Sequence, residues 1–169
     1  MNWRKCKVFV HPTLTCGGIL FPGISAPTIE FPTDTARTIA SLALTGTMAR
    51  YRDITFLFSH GGGTLPAIAQ RFAGPLRQMS VAERARKLPN GLEHELKRQY
   101  YDLASVGASP AGMAAVLKLW PISQLTYGSD APFGSSTGIA DGILALGLSE
   151  VDLAAIWRDN ALRLFPHYA

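Results

Sequence analysis

Four short apolar runs, each followed by a longer segment of helical periodicity, divide this chain of 169 residues. The runs are Lys7–Val10, 54–58, 99–103 and 125–127. A nearly continuous apolar run such as 54–58 is typical of a strand buried on both faces. Strands that alternate with helices imply parallel pairing with right-handed crossovers. The pattern therefore predicts an α/β fold with a parallel sheet.

The segments between these runs predict a loop and several helices. Residues 12–32 are rich in Gly and Pro and predict a loop. Thr33 or Asp34 can cap the first helix, which is predicted to end near residue 49. Ser109 and Ser149 are the predicted caps of two later helices. The helices predicted after the second strand cover 65–72, 111–119, 139–146 and 150–164.

Composition excludes several classes of protein. A hydrophobic share of 47% and a charged share of 17% fit a globular protein. The sequence contains no run of about 18 uncharged apolar residues, so it predicts no membrane span. The net charge is only +4, and the basic segment 77–98 also holds glutamates, which favours a solvated helix surface over nucleic-acid binding. Cys6 and Cys16 predict reduced thiols in the cytoplasm. The basic start imitates a signal peptide, but its apolar stretch is too short.

Side chains that can bind a metal follow three of the predicted strands. They are His11, His60 and Asp130. In α/β folds, functional residues gather just beyond the carboxyl ends of the strands, so the fold can bring these three together. Two imidazoles and a carboxylate suit a borderline divalent cation such as Zn²⁺. The spacing therefore predicts a divalent-metal site.

Each of the three residues also has an ordinary structural interpretation. His11 can be a hydrogen-bonded loop residue, and Asp130 can cap a turn before Pro132. His60 precedes three glycines, which either let a ligand approach closely or form a tight turn from strand to helix. The glycines are not a phosphate-binding P-loop, because no Gly-Lys-Ser/Thr follows them. Spacing alone leaves these alternatives open.

Four motifs that occur in one order point to a family. They are Val-Phe-Val-His-Pro-Thr, Phe-Ser-His-Gly-Gly-Gly-Thr-Leu-Pro with Arg71 beyond it, Tyr-Tyr-Asp, and Tyr-Gly-Ser-Asp-Ala-Pro-Phe. Together they resemble the amidohydrolase-related family of metal-dependent decarboxylases and hydrolases, of the aminocarboxymuconate-semialdehyde decarboxylase type. The ending Asn-Ala-Leu-Arg-Leu-Phe resembles the last barrel helix of that family. The resemblance covers nearly the whole chain and implies a distorted (β/α)₈ barrel.

The resemblance implies a role for each of four side chains. His11 matches the metal-binding histidine after the fifth barrel strand. Asp130 matches the aspartate after the eighth strand, which is a metal ligand or a partner of the metal-bound water. His60 matches the histidine after the sixth strand, the usual catalytic acid or base. Arg71 matches an arginine that, in some relatives, crosses a dimer interface to the substrate carboxylate, although a plain surface arginine is the alternative.

The chain departs from the family pattern in its histidines. The family carries a metal-binding His-x-His motif on its first strand, whereas the four histidines here, His11, His60, His94 and His167, form no such motif. A complete barrel typically needs about 250 residues. The resemblance therefore implies that residues 1–169 form a partial barrel domain, its C-terminal half with about strands five to eight. We expect weak metal binding by this chain alone, and either self-association or pairing with an N-terminal half.

The expected activity is metal-dependent decarboxylation of an aromatic or unsaturated carboxylic acid, a small-molecule partner. Zn²⁺ is the expected metal, and His60 is expected to transfer the proton, since histidines exchange protons near neutral pH. Two alternatives are a hydrolase that uses the same metal centre and an inactive, truncated half barrel without turnover. A third is a doubly wound α/β domain that binds a small ligand, which predicts a sheet covered on both faces.

Overall fold

The computed structural model describes residues 1–14 and 22–168. Within these residues, four parallel strands form one sheet in the order of the chain. They are β1 (Lys7–Val10), β2 (Thr55–Phe58), β3 (Tyr100–Asp102) and β4 (Leu125–Thr126). Val10 lies opposite Phe58, and Tyr101 lies opposite Leu125. The predicted parallel α/β fold is confirmed, and every strand lies within one residue of its predicted bounds.

The helices of the described residues connect and follow these strands. They are α1 (Ala26–Leu44), α2 (Thr47–Arg50), α3 (Leu65–Ile68), α4 (Ala73–Gln78), α5 (Val81–Lys87), α6 (Leu92–Lys97), α7 (Pro110–Leu119), α8 (Ser136–Leu144), α9 (Glu150–Ala154) and α10 (Asn160–Leu164). A π-helical turn, Ala155–Asp159, joins α9 to α10, so the predicted helix 150–164 is one segment with a wider turn. The side chains of Ser109 and Ser149 cap α7 and α9 as predicted. No helix in the described ranges is long and apolar enough to cross a membrane.

The first helix begins earlier than the sequence predicts. The loop predicted for 12–32 is wrong from Ala26 onward, where α1 starts. Pro27 lies in the first helical turn, where a missing N–H has no cost. Pro32 lies inside the helix, a position that usually ends one. Its carbonyl accepts a hydrogen bond of 3.0 Å from the N–H of Thr64, which ties the helix at this point to the turn after β2.

Part of the same predicted loop, including Cys16, lies outside the described residues. The thiol state predicted for Cys16 therefore stays a prediction. Cys6, within the described part, carries a free thiol.

The hydrophobic core lies between the sheet and its helices. Phe56, Phe58, Tyr101 and Leu125 project from one face of the sheet into this core. Their partners are buried helical side chains: Ile39, Ala43, Met48, Met113, Val116, Ile139, Ile143 and Ile156. Because alternate residues of a strand point to opposite faces, Phe9 lies on the other face, and it is 57% exposed. Tyr100, Asp102 and Thr126 on the same face are buried, so this face is open at β1 and covered at β3 and β4, whereas the doubly wound alternative needs both faces covered throughout.

The total surface agrees with an uncovered sheet face. The chain exposes 9570 Å², whereas a compact protein of 18.2 kDa exposes about 8,100 Å². The excess of roughly 1,500 Å² is surface that a compact protein of this mass would bury. In the described residues, β1 and β4 are the two edges of the sheet, and the edge at β4 is hydrogen-bonded to Asn160.

Candidate metal centre and active site

The three predicted site residues meet at the carboxyl end of the sheet. His11 directly follows β1, His60 follows β2 after Ser59, and Asp130 lies in the loop after β4. Each therefore leaves a different strand at the same edge of the sheet. Their ligand atoms all lie within 4.8 Å of one another. The structure thus brings together the residues that the sequence singled out.

His60 is held in an uncommon backbone conformation. Its φ of 57° lies in the left-handed region, which residues other than glycine rarely adopt. Its N–H donates a hydrogen bond of 2.9 Å to Oδ1 of Asp102, and this contact fixes the turn. The imidazole Nε2 lies 3.7 Å from Oδ1 of Asp130. Its Nδ1 is buried and has no hydrogen-bond partner among the described residues.

The three glycines after His60 form a tightly packed turn. Gly61, Gly62 and Gly63 all have positive φ. A Cβ atom on Gly63 would lie 2.0 Å from the carbonyl oxygen of Pro32, so only hydrogen fits there. The carbonyl of Gly61 accepts a hydrogen bond of 2.9 Å from the buried indole Nε1 of Trp120. The glycines therefore serve as a strand-to-helix turn that sets the direction of His60.

His11 presents one ring nitrogen for a ligand. Its Nδ1 lies 2.9 Å from the carbonyl oxygen of Pro12. A carbonyl only accepts, so Nδ1 carries the proton and donates, which leaves the lone pair on Nε2 free. The rings of His11 and His60 meet edge to face, with centroids 5.3 Å apart. This tautomer is the one that a metal-binding histidine needs.

Asp130 combines a backbone turn with a side chain aimed at the site. Its φ is 56°, and its carbonyl accepts hydrogen bonds from the N–H groups of Phe133 and Gly134. Its Oδ2 accepts a hydrogen bond of 3.1 Å from the hydroxyl of Ser105. The turn interpretation of Asp130 therefore holds for its backbone, while its carboxylate lies in the cluster and its role there stays a prediction.

The donor set fits a divalent cation. Two ligands of one tetrahedral zinc ion lie about 3.3 Å apart when the bonds are about 2.0 Å long. The separations in this cluster, at most 4.8 Å, are close enough for small side-chain rotations to close it. Two imidazoles and one carboxylate also match the ligand types of catalytic zinc sites. The residues present therefore supply a suitable partial coordination shell.

An apolar cavity of about 390 Å³ opens beside these residues. Its polar lining is His11, His60, Ser105 and Asp130, and its apolar lining is Pro27, Phe31, Pro32 and Phe133. A mostly apolar hollow of this size with a few convergent polar groups is typical of a small-molecule site. A second hollow of about 410 Å³, which Phe9 and Leu57 help to line, adjoins the same three residues on the open face of the sheet.

Two residues near the site were given no role by the sequence. Ser105 lines the cavity and donates a hydrogen bond to the carboxylate of Asp130. The only feature of the sequence that could have indicated it is its position shortly after a predicted strand. Asp102 was noted only as part of Tyr-Tyr-Asp. Burial raises the pKa of its carboxyl, while hydrogen bonds from the N–H groups of His60 and Ala104 act in the opposite direction.

Arg71 lies apart from the cluster. It is exposed in the 3₁₀ turn Ala69–Phe72, and it lines neither of the two hollows. The residues that line the 390 Å³ cavity, within the described ranges, include no arginine or lysine. The role predicted for Arg71 across a subunit interface stays a prediction.

Comparison with known proteins assigns the family. The sequence profile of the amidohydrolase family matches residues 4–167, and the chain belongs to this family. Decarboxylase yanB from Aspergillus niger is 32% identical to it over 99% of the chain and 48% of the relative. 6-Methylsalicylic acid decarboxylase from Penicillium expansum is 27% identical over 98% of the chain and 52% of the relative. The chain thus spans about half the length of the curated relatives it matches.

A solved structure supports the fold. Dihydroxybenzoic acid decarboxylase from Polaromonas sp. JS666, solved with bound manganese and the inhibitor 2-nitroresorcinol, superposes with a TM-score of 0.78. The two proteins are 18% identical, and the match covers 99% of this chain and 52% of the other. The parallel α/β architecture described above is therefore that of about half of an amidohydrolase-type chain.

Proposed function

We propose that this chain supplies half of the active site of a metal-dependent decarboxylase that acts on an aromatic or unsaturated carboxylic acid. The observation that carries the proposal is the cluster of His11, His60 and Asp130 at the mouth of an apolar cavity. The names of the relatives favour decarboxylation over hydrolysis. In this proposal β1 to β4 are strands five to eight of a (β/α)₈ barrel, formed by one partial domain.

His11 and Asp130 would hold the divalent metal in this proposal, with Nε2 of His11 and Oδ1 of Asp130 as donors. When bound, the metal polarises a substrate oxygen or a water molecule. Zinc suits this donor set, and the manganese in the Polaromonas decarboxylase makes manganese the other candidate. The two protein ligands from this chain, His11 and Asp130, give weak binding, because a catalytic zinc site normally has about three protein ligands.

His60 is the proposed proton donor. Its Nε2 lies 3.7 Å from Oδ1 of Asp130, and His60 lines the cavity in which a substrate would bind. The protonated ring transfers its proton to the carbon that bears the carboxylate. The bond to the carboxylate then breaks, its electron pair restores the unsaturated system, and CO₂ leaves.

The cavity matches the proposed substrate. Phe31, Phe133 and the two prolines give flat apolar walls on which an aromatic ring can pack. Since the described lining contains no arginine or lysine, the substrate carboxylate would pair with the metal or with a residue from outside this lining. Arg71 is our proposed source of that charge, from a second subunit, because a guanidinium binds a carboxylate in bidentate fashion.

The open part of the sheet face favours association with a partner. Phe9 is 57% exposed on this face, and β1 is an edge strand with no further strand beside it among the described residues. A complementary half barrel would cover the face, pair both edges and add the remaining metal ligands. Self-association is the other way to bury this surface. We therefore propose that the active form is an assembly with a complementary half or with further copies of the chain.

Turnover in a reconstituted barrel tests the proposed function. The chain is mixed with the half of the Aspergillus niger relative that it does not match, in the presence of Zn²⁺ or Mn²⁺. The probes are 6-methylsalicylate and 2,6-dihydroxybenzoate, and CO₂ release is measured. We expect metal-dependent release that falls at least about 10²-fold in His60→Gln, with His94→Gln unchanged as the matched control. Turnover that survives His60→Gln, or no turnover of either probe, would overturn the proposal.

A further inference from the structure

Asp102 is a buried carboxylate next to the site that the proposed chemistry does not use. It is the last residue of β3 and is 7% exposed. It does not line the apolar cavity, although it reaches the second hollow on the open face. A buried carboxylate needs several hydrogen bonds to offset its lost hydration. Its partners are therefore informative about what it does.

One oxygen of Asp102 joins two turns. Its Oδ1 accepts a hydrogen bond of 2.9 Å from the N–H of His60 and one of 3.0 Å from the N–H of Ala104. The first of these holds His60 at a φ of 57°, a conformation that is strained for a histidine. Such strain persists only where neighbouring groups fix the backbone.

The second turn leads to Asp130. Ser105 follows Ala104, has a φ of 57°, and donates its hydroxyl proton to Oδ2 of Asp130. The loop after β4 also lies against the carboxylate of Asp102. A Cβ atom on Gly128 would stand 3.1 Å from the Cγ of Asp102. The carboxylate thus contacts the turn that carries His60, the turn that carries Ser105, and the loop that leads to Asp130.

We propose that Asp102 is a positioning residue that sets the direction of His60 and Asp130 relative to each other. It acts through backbone N–H groups, not through contact with the reacting atoms. Its predicted effect on catalysis rests on the proposed function, whereas its effect on geometry does not. The proposal therefore predicts a local change at the site when the acceptor oxygen is removed, with the core of the sheet unchanged.

The test uses NMR spectroscopy of the full chain and three variants. Asp102→Ala removes the acceptor, and Asp102→Asn keeps an amide oxygen in the same place. Thr126→Val is the matched control, since Thr126 lies opposite Asp102 on β4 and is equally buried. Two local signals are measured: hydrogen exchange of the His60 and Ala104 amides, and the nuclear Overhauser effect between the rings of His11 and His60. The amide of Phe58 reports on the core.

In Asp102→Ala we expect the His60 and Ala104 amides to exchange at least about tenfold faster, with the contact between the rings lost and the Phe58 amide unchanged. Asp102→Asn and Thr126→Val should retain both local signals. Unchanged local signals in Asp102→Ala would overturn the proposal. If Asp102→Ala does not fold, Asp102→Asn decides, because loss of the ring contact there would show that the acceptor oxygen is not what positions His60.

The reconstituted enzyme supplies a second readout. Asp102→Ala should lower kcat at least about tenfold with little change in KM, since the substrate cavity stays intact while His60 is misdirected. Asp102→Asn should recover most of this loss. Absence of turnover in the unmodified protein would count against the proposed function alone, because the NMR result is independent of activity. A rise in KM with kcat unchanged would overturn the positioning role.

Discussion

Trp120 supports the turn that carries His60, and its replacement by phenylalanine gives a quantitative test of this support. The side chain is 2% exposed, stacks on Tyr101 with ring centroids 4.1 Å apart, and donates its indole proton to the carbonyl of Gly61. Trp120→Phe keeps an aromatic ring in the core but removes the donor. Gly61 is buried, and its carbonyl then receives no hydrogen bond from residue 120.

The magnitude follows from three contributions. The lost hydrogen bond contributes about 1 kcal/mol net, and a buried carbonyl left unpaired costs about 1–3 kcal/mol, contributions that overlap in part. The smaller ring leaves a small cavity that adds about 1 kcal/mol. We expect the free energy of unfolding to fall by about 2–4 kcal/mol. With an m value of about 2 kcal/mol per molar urea, the unfolding midpoint moves down by about 1–2 M.

Urea unfolding followed by far-ultraviolet circular dichroism measures this shift. Trp157→Phe is the matched control, because Trp157 is only partly buried and its indole donates no hydrogen bond to a described residue. The control should move the midpoint by less than about 0.5 M. Equal shifts in the two variants would refute the reasoning, since they would mean that the bond to Gly61 contributes nothing beyond the loss of ring volume.

Three further predictions concern other parts of the chain. Gly63→Ala should lower the free energy of unfolding by at least about 2 kcal/mol in a denaturant titration, because residue 63 has a positive φ and its Cβ would stand 2.0 Å from the carbonyl oxygen of Pro32. Gly74→Ala, with open space around its Cβ, should change this free energy by less than about 1 kcal/mol. Burial raises the pKa of Tyr101 well above 10, so the unfolded chain loses this phenolic proton at lower pH than the folded chain does, and stability should fall as pH rises past about 10. Thermal unfolding of Tyr101→Phe should show a smaller loss of stability at alkaline pH. An identical pH profile in the two proteins would contradict this. Asn160→Ala should lower the unfolding free energy by about 2–4 kcal/mol, because its amide donates two bonds of 2.7 Å to the backbone carbonyls of Ile122 and Leu125. Asn2→Ala, whose side-chain hydrogen bonds to Asp53 are exposed to solvent, should cost under about 1 kcal/mol, and equal costs would argue against the reasoning.

Much of the fold follows from local patterns in the sequence. The strands are the short apolar runs that the sequence indicates. Ser109 and Ser149 cap helices because their side-chain oxygens accept hydrogen bonds from N–H groups of the first helical turn, as predicted. The start of α1 was mispredicted because an interior proline normally ends a helix. The helix nevertheless continues through Pro32, whose carbonyl is held by a hydrogen bond from Thr64, a residue that is distant in sequence. Local patterns carry no information about such a partner.

The residues of the site were predictable from the sequence, but the hydrogen bonds that position them were not. His11, His60 and Asp130 follow strands, and parallel strands bring their ends to one edge, so their meeting could be inferred. The hydrogen bonds of Asp102 and Ser105 depend on left-handed turns at His60 and Ser105, which only the folded backbone reveals. The apolar wall from Pro27 and Phe31 was also missed, because those residues were assigned to a loop.

Metal binding by His11 and Asp130 is the central claim, and a manganese titration tests it most directly. Electron paramagnetic resonance of free Mn²⁺ gives the bound fraction for the chain and its variants, and added Zn²⁺ measures competition. We predict about one weak site per chain, with a dissociation constant above about 10 μM. His11→Ala and Asp130→Ala should each weaken it at least about tenfold, while the exposed His94→Ala leaves it unchanged. Equal binding by His11→Ala, Asp130→Ala and the unmodified chain would contradict the account.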